Sequence, residues 1–244
     1  MPTYRIDIAY DGSGFRGYAR NAGVRSVQET LEDFLSRMAG EPVDTVVAGR
    51  TDAGVHARQN VVSFSTGATL DPERLRRAIT STLGPEIVVR SASVVPDDFH
   101  ARFSAGARAY RYFVDDSGTP DPLRRGSVWA VRWPLDVERM DAAAAAFVGD
   151  HDFASLCRRQ EGRSTERTVL AATWERAEDG VAVYRVAATA FCHQMVRSMV
   201  ALSVDVGRGA VEADDVPAIL AARDRNAARG AAPPHGLVLW RVTY

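Results

Sequence analysis

The sequence predicts an α+β protein built from two ferredoxin-like halves, each in the order β-α-β-β-α-β, whose antiparallel or mixed sheets join with a cleft between them. Three observations carry that prediction. Short segments alternate apolar and polar residues with the period of a half-buried strand; between them lie segments with helical spacing and capping signals; and the order of these elements in the first half can be traced again in the second. The halves divide as residues 1–105 and 106–244, with no linker composition between them.

In the first half, Tyr4, Ile6, Ile8 and Tyr10 alternate with Arg5, Asp7 and Ala9, which predicts a strand. Ser26-Val27-Gln28-Glu29 is a capping box, after which Val27, Leu31, Phe34, Leu35 and Met38 share one helical face until Gly40. Strands are predicted over 43–48 and 61–65, with a turn-rich loop between them. Asp71 and Pro72 open a second helix, with Leu75, Ile79 and Leu83 inward and Gly84-Pro85 as its stop, and a strand over 87–95 closes the half.

The second half carries insertions. A strand is predicted over 109–114. Asp136 caps a helix presenting Val137, Met140, Ala144, Phe147 and Val148, and Asp179-Gly180 turns a hairpin between strands over 168–176 and 181–188. An apolar helix begins at Phe191, a shorter one follows near 216–223, and 236–244 is the last strand. Residues 120–122 and 228–234, rich in proline or glycine, are loops inside this half.

Composition narrows the chemistry. No apolar run approaches the roughly 20 residues of a membrane span, and the first residues lack a signal-peptide pattern, so a cytoplasmic protein is expected. Cys157 and Cys192, far apart and in no C-x-x-C, are expected as buried reduced thiols. All 30 basic residues are arginine; a Walker A, Schiff-base or pyridoxal-phosphate lysine is therefore excluded. A net charge of −1 gives no global basic signature, so a nucleic-acid surface would need a local arginine patch. Candidates are Arg102, Arg108 and Arg111, and the run Arg158, Arg159, Arg163 and Arg167. His56, His100, His151, His193 and His235 have no metal-ligand spacing, and no metal is expected.

Two segments carry chemistry, and a third imitates it. Gly12-Ser13-Gly14-Phe15-Arg16-Gly17 spells the dinucleotide fingerprint, but the next helix is capped only at Ser26, so no helix N-terminus meets a pyrophosphate there. The first real signal is Gly49-Arg50-Thr51-Asp52-Ala53-Gly54-Val55-His56, a loop between strands crowding an arginine, a carboxylate and a histidine among glycines. The second is the apolar helix from Phe191, where Met195, Met199 and Leu202 form one stripe and His193 and Arg197 a neighbouring one. An arginine in so apolar a helix needs an acidic partner, and Asp52 is the natural candidate.

These segments resemble the TruA-type tRNA pseudouridine synthases. The similarity runs in order through Tyr10-Asp11-Gly12-Ser13, Ser26-Val27-Gln28-Glu29, the loop 49–56, Pro96-Asp97-Asp98-Phe99-His100-Ala101-Arg102-Phe103-Ser104 with Arg108 and Tyr110-Arg111-Tyr112, the 191–200 helix and Gly236-Leu237. The resemblance implies an isomerase turning uridine into pseudouridine in the anticodon stem-loop of tRNA, at the family's positions 38, 39 and 40, without cofactor or metal and as a homodimer. It implies Asp52 as nucleophile, Tyr110 as the ring stacked on the target uracil and Arg197 as the partner of Asp52. Arg50, His56 and Leu237 would lie beside the flipped nucleotide. The chain departs from the family at Tyr18-Ala19-Arg20-Asn21, where Trp-Gln and a further Gln are usual, and at Ala201, where glycine is usual.

The chemistry suits those residues. Breaking the N1–C1′ bond, turning the base and rejoining it through C5 needs no redox cofactor, and an ionised Asp can either attack the ribose carbon or take a sugar proton. A stacked aromatic offsets the lost stacking of an extruded base by roughly 1–3 kcal/mol. From pattern alone the alternative for Tyr110 is an ordinary strand aromatic facing the core. Two other classes stay open from the residues: a non-catalytic RNA-binding module, which would show RNP-type strand motifs, and a small-molecule enzyme using the glycine loop.

Overall fold

The computed structural model describes residues 1–228 and 230–244. Its regular elements are β1 (Thr3–Tyr10), α1 (Val27–Ala39), β2 (Val46–Val47), β3 (His56–Ser65), α2 (Pro72–Leu83), β4 (Ile87–Val95), β5 (Ala107–Asp115), β6 (Trp129–Ala130), α3 (Val137–Ala145), β7 (Gly149–Asp152), β8 (Glu166–Arg176), β9 (Ala182–Ala188), α4 (Met195–Gly207), α5 (Val216–Ala221) and β10 (Leu237–Thr243). This is an α+β chain. It divides into two compact units, Met1–Arg108 with Val238–Tyr244, and Ala109–Leu237. Chain order puts the last strand with the second half, but its register ties it to β3 of the first unit.

In the first unit β1 lies between β4 and β3 and pairs antiparallel with both. Two short partners share the outer side of β3: β2 antiparallel at Ser63 and Val62, and β10 parallel at His56 and Ala57. In β1 Tyr4, Ile6, Ile8 and Tyr10 are buried as the sequence predicts, but Asp7 and Ala9 are buried too, so the strand is covered on both faces along most of its length rather than half-buried. The amphipathic helices α1 and α2 are stopped and started by chemistry visible in the sequence. The Ser26 side chain accepts from Glu29 N–H, Gly40 ends α1 in the left-handed region (φ 74°), and Asp71 caps Arg74 N–H. Two lengths differ from expectation. The strand predicted over 43–48 shrinks to two residues, and the one predicted over 61–65 grows to ten because β1 pairs along nearly its whole length.

In the second unit the strand order is β5-β9-β8-β7, with β6 beside β5. The β8–β9 hairpin turns at Asp179-Gly180, where Gly180 has φ 83°. Helix α4 starts at Met195 rather than Phe191, because Gln194 takes a left-handed conformation (φ 65°) as its N-cap. Phe147 and Val148, expected on the helix of Asp136, lie beyond the end of α3, just before the short strand β7.

The cysteines overturn their expectation. Cys157 and Cys192 are joined as a disulfide with Cα atoms 5.8 Å apart. Thirty-five positions of sequence are folded back by the hairpin, and Arg158 N–H donates to His193 O at 2.9 Å, so the two segments run side by side. Of the loop expected over 228–234, residue 229 lies outside the described residues. No helix among the described residues is long and apolar enough to cross a membrane.

Candidate active site

The loop 49–55 leaves β2 and enters β3, and a buried polar network below it sets its path. Asn60, fully buried on β3, brackets Gly49: its Oδ1 accepts from Gly49 N–H at 3.3 Å and its Nδ2 donates to Gly49 O at 2.8 Å. The same Nδ2 donates to the Tyr10 hydroxyl at 3.3 Å, and that hydroxyl lies 2.8 Å from Thr51 Oγ1. Burial pushes the Tyr10 phenol up to about 12, offset in part by its bonds to Thr51 and Asn60, so it stays protonated and available for hydrogen bonding. Tyr18 N–H donates to Thr51 O, and Val55 N–H closes the turn on Asp52 O. Asp52 is thus presented, partly exposed, after a pinned Thr51 and with its own carbonyl closing the turn at Val55.

The glycine-rich segment that imitates a nucleotide motif proves to be the other wall of this loop. A Cβ on Gly12 would lie 2.1 Å from Val55 O, and one on Gly17, at φ 103°, 3.2 Å from Thr51 O. Glycine is required at both places by the close approach of two backbones. His56 belongs to the same contact: its Nδ1 accepts from Gly12 N–H at 3.1 Å and lies 3.1 Å from Asp11 Oδ1. Burial raises the Asp11 carboxyl, but the Ser13 N–H and His56 outweigh it and hold the group below its usual range. Arg50 is exposed at the start of the loop.

The string Phe99-His100-Ala101-Arg102-Phe103-Ser104 with Arg108 is scaffolding. His100 Nδ1 accepts from Arg102 and Phe103 N–H, and Ala101 N–H donates to Ser63 Oγ. Arg108, proposed above for an RNA patch, is instead buried. Its Nε and Nη2 donate to Ala48 O, the residue before Gly49, and its Nη groups also reach Ala105 O and Arg102 O. An arginine held by three carbonyls anchors the root of the Asp52 loop and leaves the surface patch to other residues.

In the second unit Tyr110 is buried on β5, its ring edge-on to Phe191 with centroids 5.1 Å apart. Tyr112, two residues on, donates to Pro233 O at 2.7 Å, and its ring lies so close to Gly236 that a Cβ there would approach within 2.6 Å. That contact explains the glycine before Leu237, which is itself buried. Arg197, half-buried on α4, forms a reciprocal pair with Ala232: Nε donates to Ala232 O at 2.7 Å, and Ala232 N–H donates to Arg197 O at 2.9 Å. Arg158, Arg159 and Arg163 are exposed on the loop after Cys157. Neither the Tyr10–Thr51–Asn60 network nor Ala232 figures in the sequence reading. A lone Asn at the head of an apolar strand is the one signal that could have flagged the network.

Comparison with known proteins completes the description. The sequence model of the family described as tRNA pseudouridine synthase matches residues 8–104 and 143–244. A tRNA pseudouridine synthase A of Moorella thermoacetica is 42% identical over 248 residues, covering all of both chains. One from Leifsonia xyli is 41% identical over 266 residues, covering 99% of this chain and 91% of that protein. One from Bacillus subtilis is 38% identical over 243 residues, covering 98% of each.

Proposed function

The chain belongs to the tRNA pseudouridine synthase family, and from that premise we propose that it isomerises uridines of the tRNA anticodon stem-loop, at positions 38 to 40, with Asp52 as the nucleophile. The observation that carries this reading is the Asp52 loop. Its carboxylate is flanked by Thr51, held through its hydroxyl and its carbonyl, and by a backbone turn closed at Val55. That is the preorganisation a group meeting one ribose carbon requires. The reaction is carried by side chains alone. Arg197 supplies the positive charge that orients the Asp52 carboxylate, and Tyr110, steadied by Phe191, supplies the ring on which the extruded uracil stacks. Arg50, His56 and Leu237 contact the flipped nucleotide, and the exposed arginines after Cys157 meet phosphates.

We read the two units as ferredoxin-like halves whose sheets join and whose cleft holds the site; the strand order β4-β1-β3-β2 of the first unit supports this. The enzyme works in the cytoplasm as a homodimer, which lets a chain of net charge −1 combine two arginine patches. Pseudouridine mapping in tRNA from cells with and without the protein tests the reading. Loss of pseudouridine at positions 38 to 40 alone is expected, and an unchanged map overturns it. A primary isotope effect on sugar carbon–hydrogen bonds would favour proton removal by Asp52 over attack on the ribose carbon.

A further inference from the structure

Arg225 stands out in the second unit because it is held in place without an ion pair among the described residues. Its Nη1 donates to Ser198 Oγ at 2.7 Å and to Ser155 O at 3.4 Å, and its Nη2 donates to Gly230 O at 3.2 Å. These acceptors belong to three separate segments: α4, the turn Ala154–Leu156, and the irregular stretch before β10. Both serines are buried, and the adjacent Asp224 N–H adds a bond to Ser155 Oγ at 3.1 Å. Burial, and then the positive charge of Arg197 nearby, lower the Arg225 pKa. A second guanidinium beside Arg197 is electrostatically unfavourable, so its retention asks for a reason that charge pairing does not supply.

The reason lies in what the three bonds hold. Ser198 is the neighbour of Arg197 on α4, and Gly230 lies two residues before Ala232, whose carbonyl meets Arg197 Nε. Residues 230–233 form a strap pinned at three points: Gly230 O by Arg225, Ala232 by its reciprocal pair with Arg197, and Pro233 O by Tyr112. We propose that Arg225 is a positioning residue for the isomerisation, bridging α4 to the 230–232 strap so that the Ala232 carbonyl fixes the plane of the Arg197 guanidinium. The inference rests on the reading of Arg197 as the partner of Asp52. A planar fork with five donors can span three acceptors on three segments; an ammonium cannot. Since both Nη groups are committed to internal acceptors, a direct phosphate contact is the weaker use for this residue.

The test is steady-state kinetics of the full-length protein on a tRNA transcript, together with NMR of the arginine Nε–H groups. Arg225→Met should lower kcat about 10- to 100-fold, the cost of a displaced orienting group, with KM within about twofold. Arg225→Lys should recover little, and Ser198→Ala, which removes one acceptor and spares the fold if Arg225→Met does not, should lower kcat about threefold. In an Arg197→Met background, Arg225→Met should add less than about twofold, because one residue acts through the other. The Arg197 Nε–H should exchange faster with solvent in Arg225→Met. A raised KM with unchanged kcat would make Arg225 an RNA contact, and multiplicative losses in the double variant would make it independent of Arg197. An unaltered Arg197 Nε–H would also overturn the proposal. If Arg197→Met alone turned over at the wild-type rate, the reading of Arg197 would fail, while the NMR result would still decide whether Arg225 positions it.

Discussion

The Asp52 loop and helix α4 each present a charged side chain, Asp52 from irregular backbone and Arg197 from a helix, and they are held by different means. Beneath Asp52 the support comes from side chains on regular strands, Tyr10 on β1 and Asn60 on β3, and from glycines that let a second loop press against the first. Around Arg197 it comes from carbonyls of an irregular strap, a non-glycine residue in the left-handed region, and a disulfide. Side chains on helices and strands are positioned more precisely than those on loops, so the loop that carries Asp52 has to borrow its rigidity from the strands beneath it. On the proposed reading of the site, the carboxylate depends on that borrowed support, whereas the guanidinium rises from a helix and is fixed at its tip by the Ala232 carbonyl.

The comparison can be broken most sharply at the carboxylate itself. Asp52→Asn keeps the shape and removes the ionised oxygen, so turnover should fall by on the order of a thousandfold or more, with thermal stability and tRNA affinity nearly unchanged. Appreciable turnover would leave the well-supported loop without its chemical purpose. On the other side, reducing Cys157–Cys192 opens a closure of 35 positions, which in the chain-entropy account is worth about 3–4 kcal/mol. Urea unfolding with and without reductant should show a loss of that order. Titration of two reactive thiols in the unreduced, unfolded protein would show instead that the strap and Arg158 hold that region unaided.

Smaller effects test the first unit's support. Gly12→Ala drives a methyl group into Val55 O, two backbones with little freedom to part, and should cost about 3 kcal/mol while lowering kcat per folded molecule. A thermally unperturbed Gly12→Ala protein would mean the two loops are not in contact in solution. Tyr10→Phe deletes only the hydroxyl shared by Thr51 and Asn60, and its cost, measured by the same unfolding curves, should be about 1–2 kcal/mol.

Much of this was legible before any coordinate. The caps at Ser26 and Asp71, the alternation of β1 and the hairpin at Asp179-Gly180 all sit where local chemistry alone dictates them. The Asp52 loop was legible because its arginine, carboxylate and histidine fall within one short stretch, 50–56. What escaped were relations between distant segments: the disulfide, the burial of Arg108 under Ala48, and Ala232 against Arg197. A backbone carbonyl carries no residue signature, so an arginine held by one, such as Arg108, reads in the sequence as a surface charge. The glycine segment misleads in the opposite direction. Its pattern is that of a phosphate cradle, but the same freedom from Cβ serves a loop-to-loop contact, and the late helix start at Ser26, with the β-α-β-β order, distinguished the two.

The smallest expected effect bears on that last distinction. Asp11 accepts from Ser13 N–H at 2.9 Å and so shapes the turn carrying Gly12; it places a carboxylate where a phosphate cradle would have to receive an anion. Asp11→Asn keeps an acceptor for Ser13 and removes the charge, so only the carboxylate's advantage is tested. Because the folded pKa lies below the ordinary value of 3.8, the charge stabilises the fold above that value, and the contribution is lost as pH falls through the folded pKa. The side chain is 61% exposed, so solvent screening limits it to about 0.5 kcal/mol at neutral pH. Urea unfolding of the two proteins should therefore differ by that small amount at pH 7 and converge towards pH 3. A gap that widened on acidification would reverse the sign and show the charge to be unfavourable in the folded loop. Protection of the Asn variant by a nucleoside diphosphate at neutral pH would show instead that the glycine segment does receive phosphates once the carboxylate is gone, and that its contact with the Asp52 loop is not its only role.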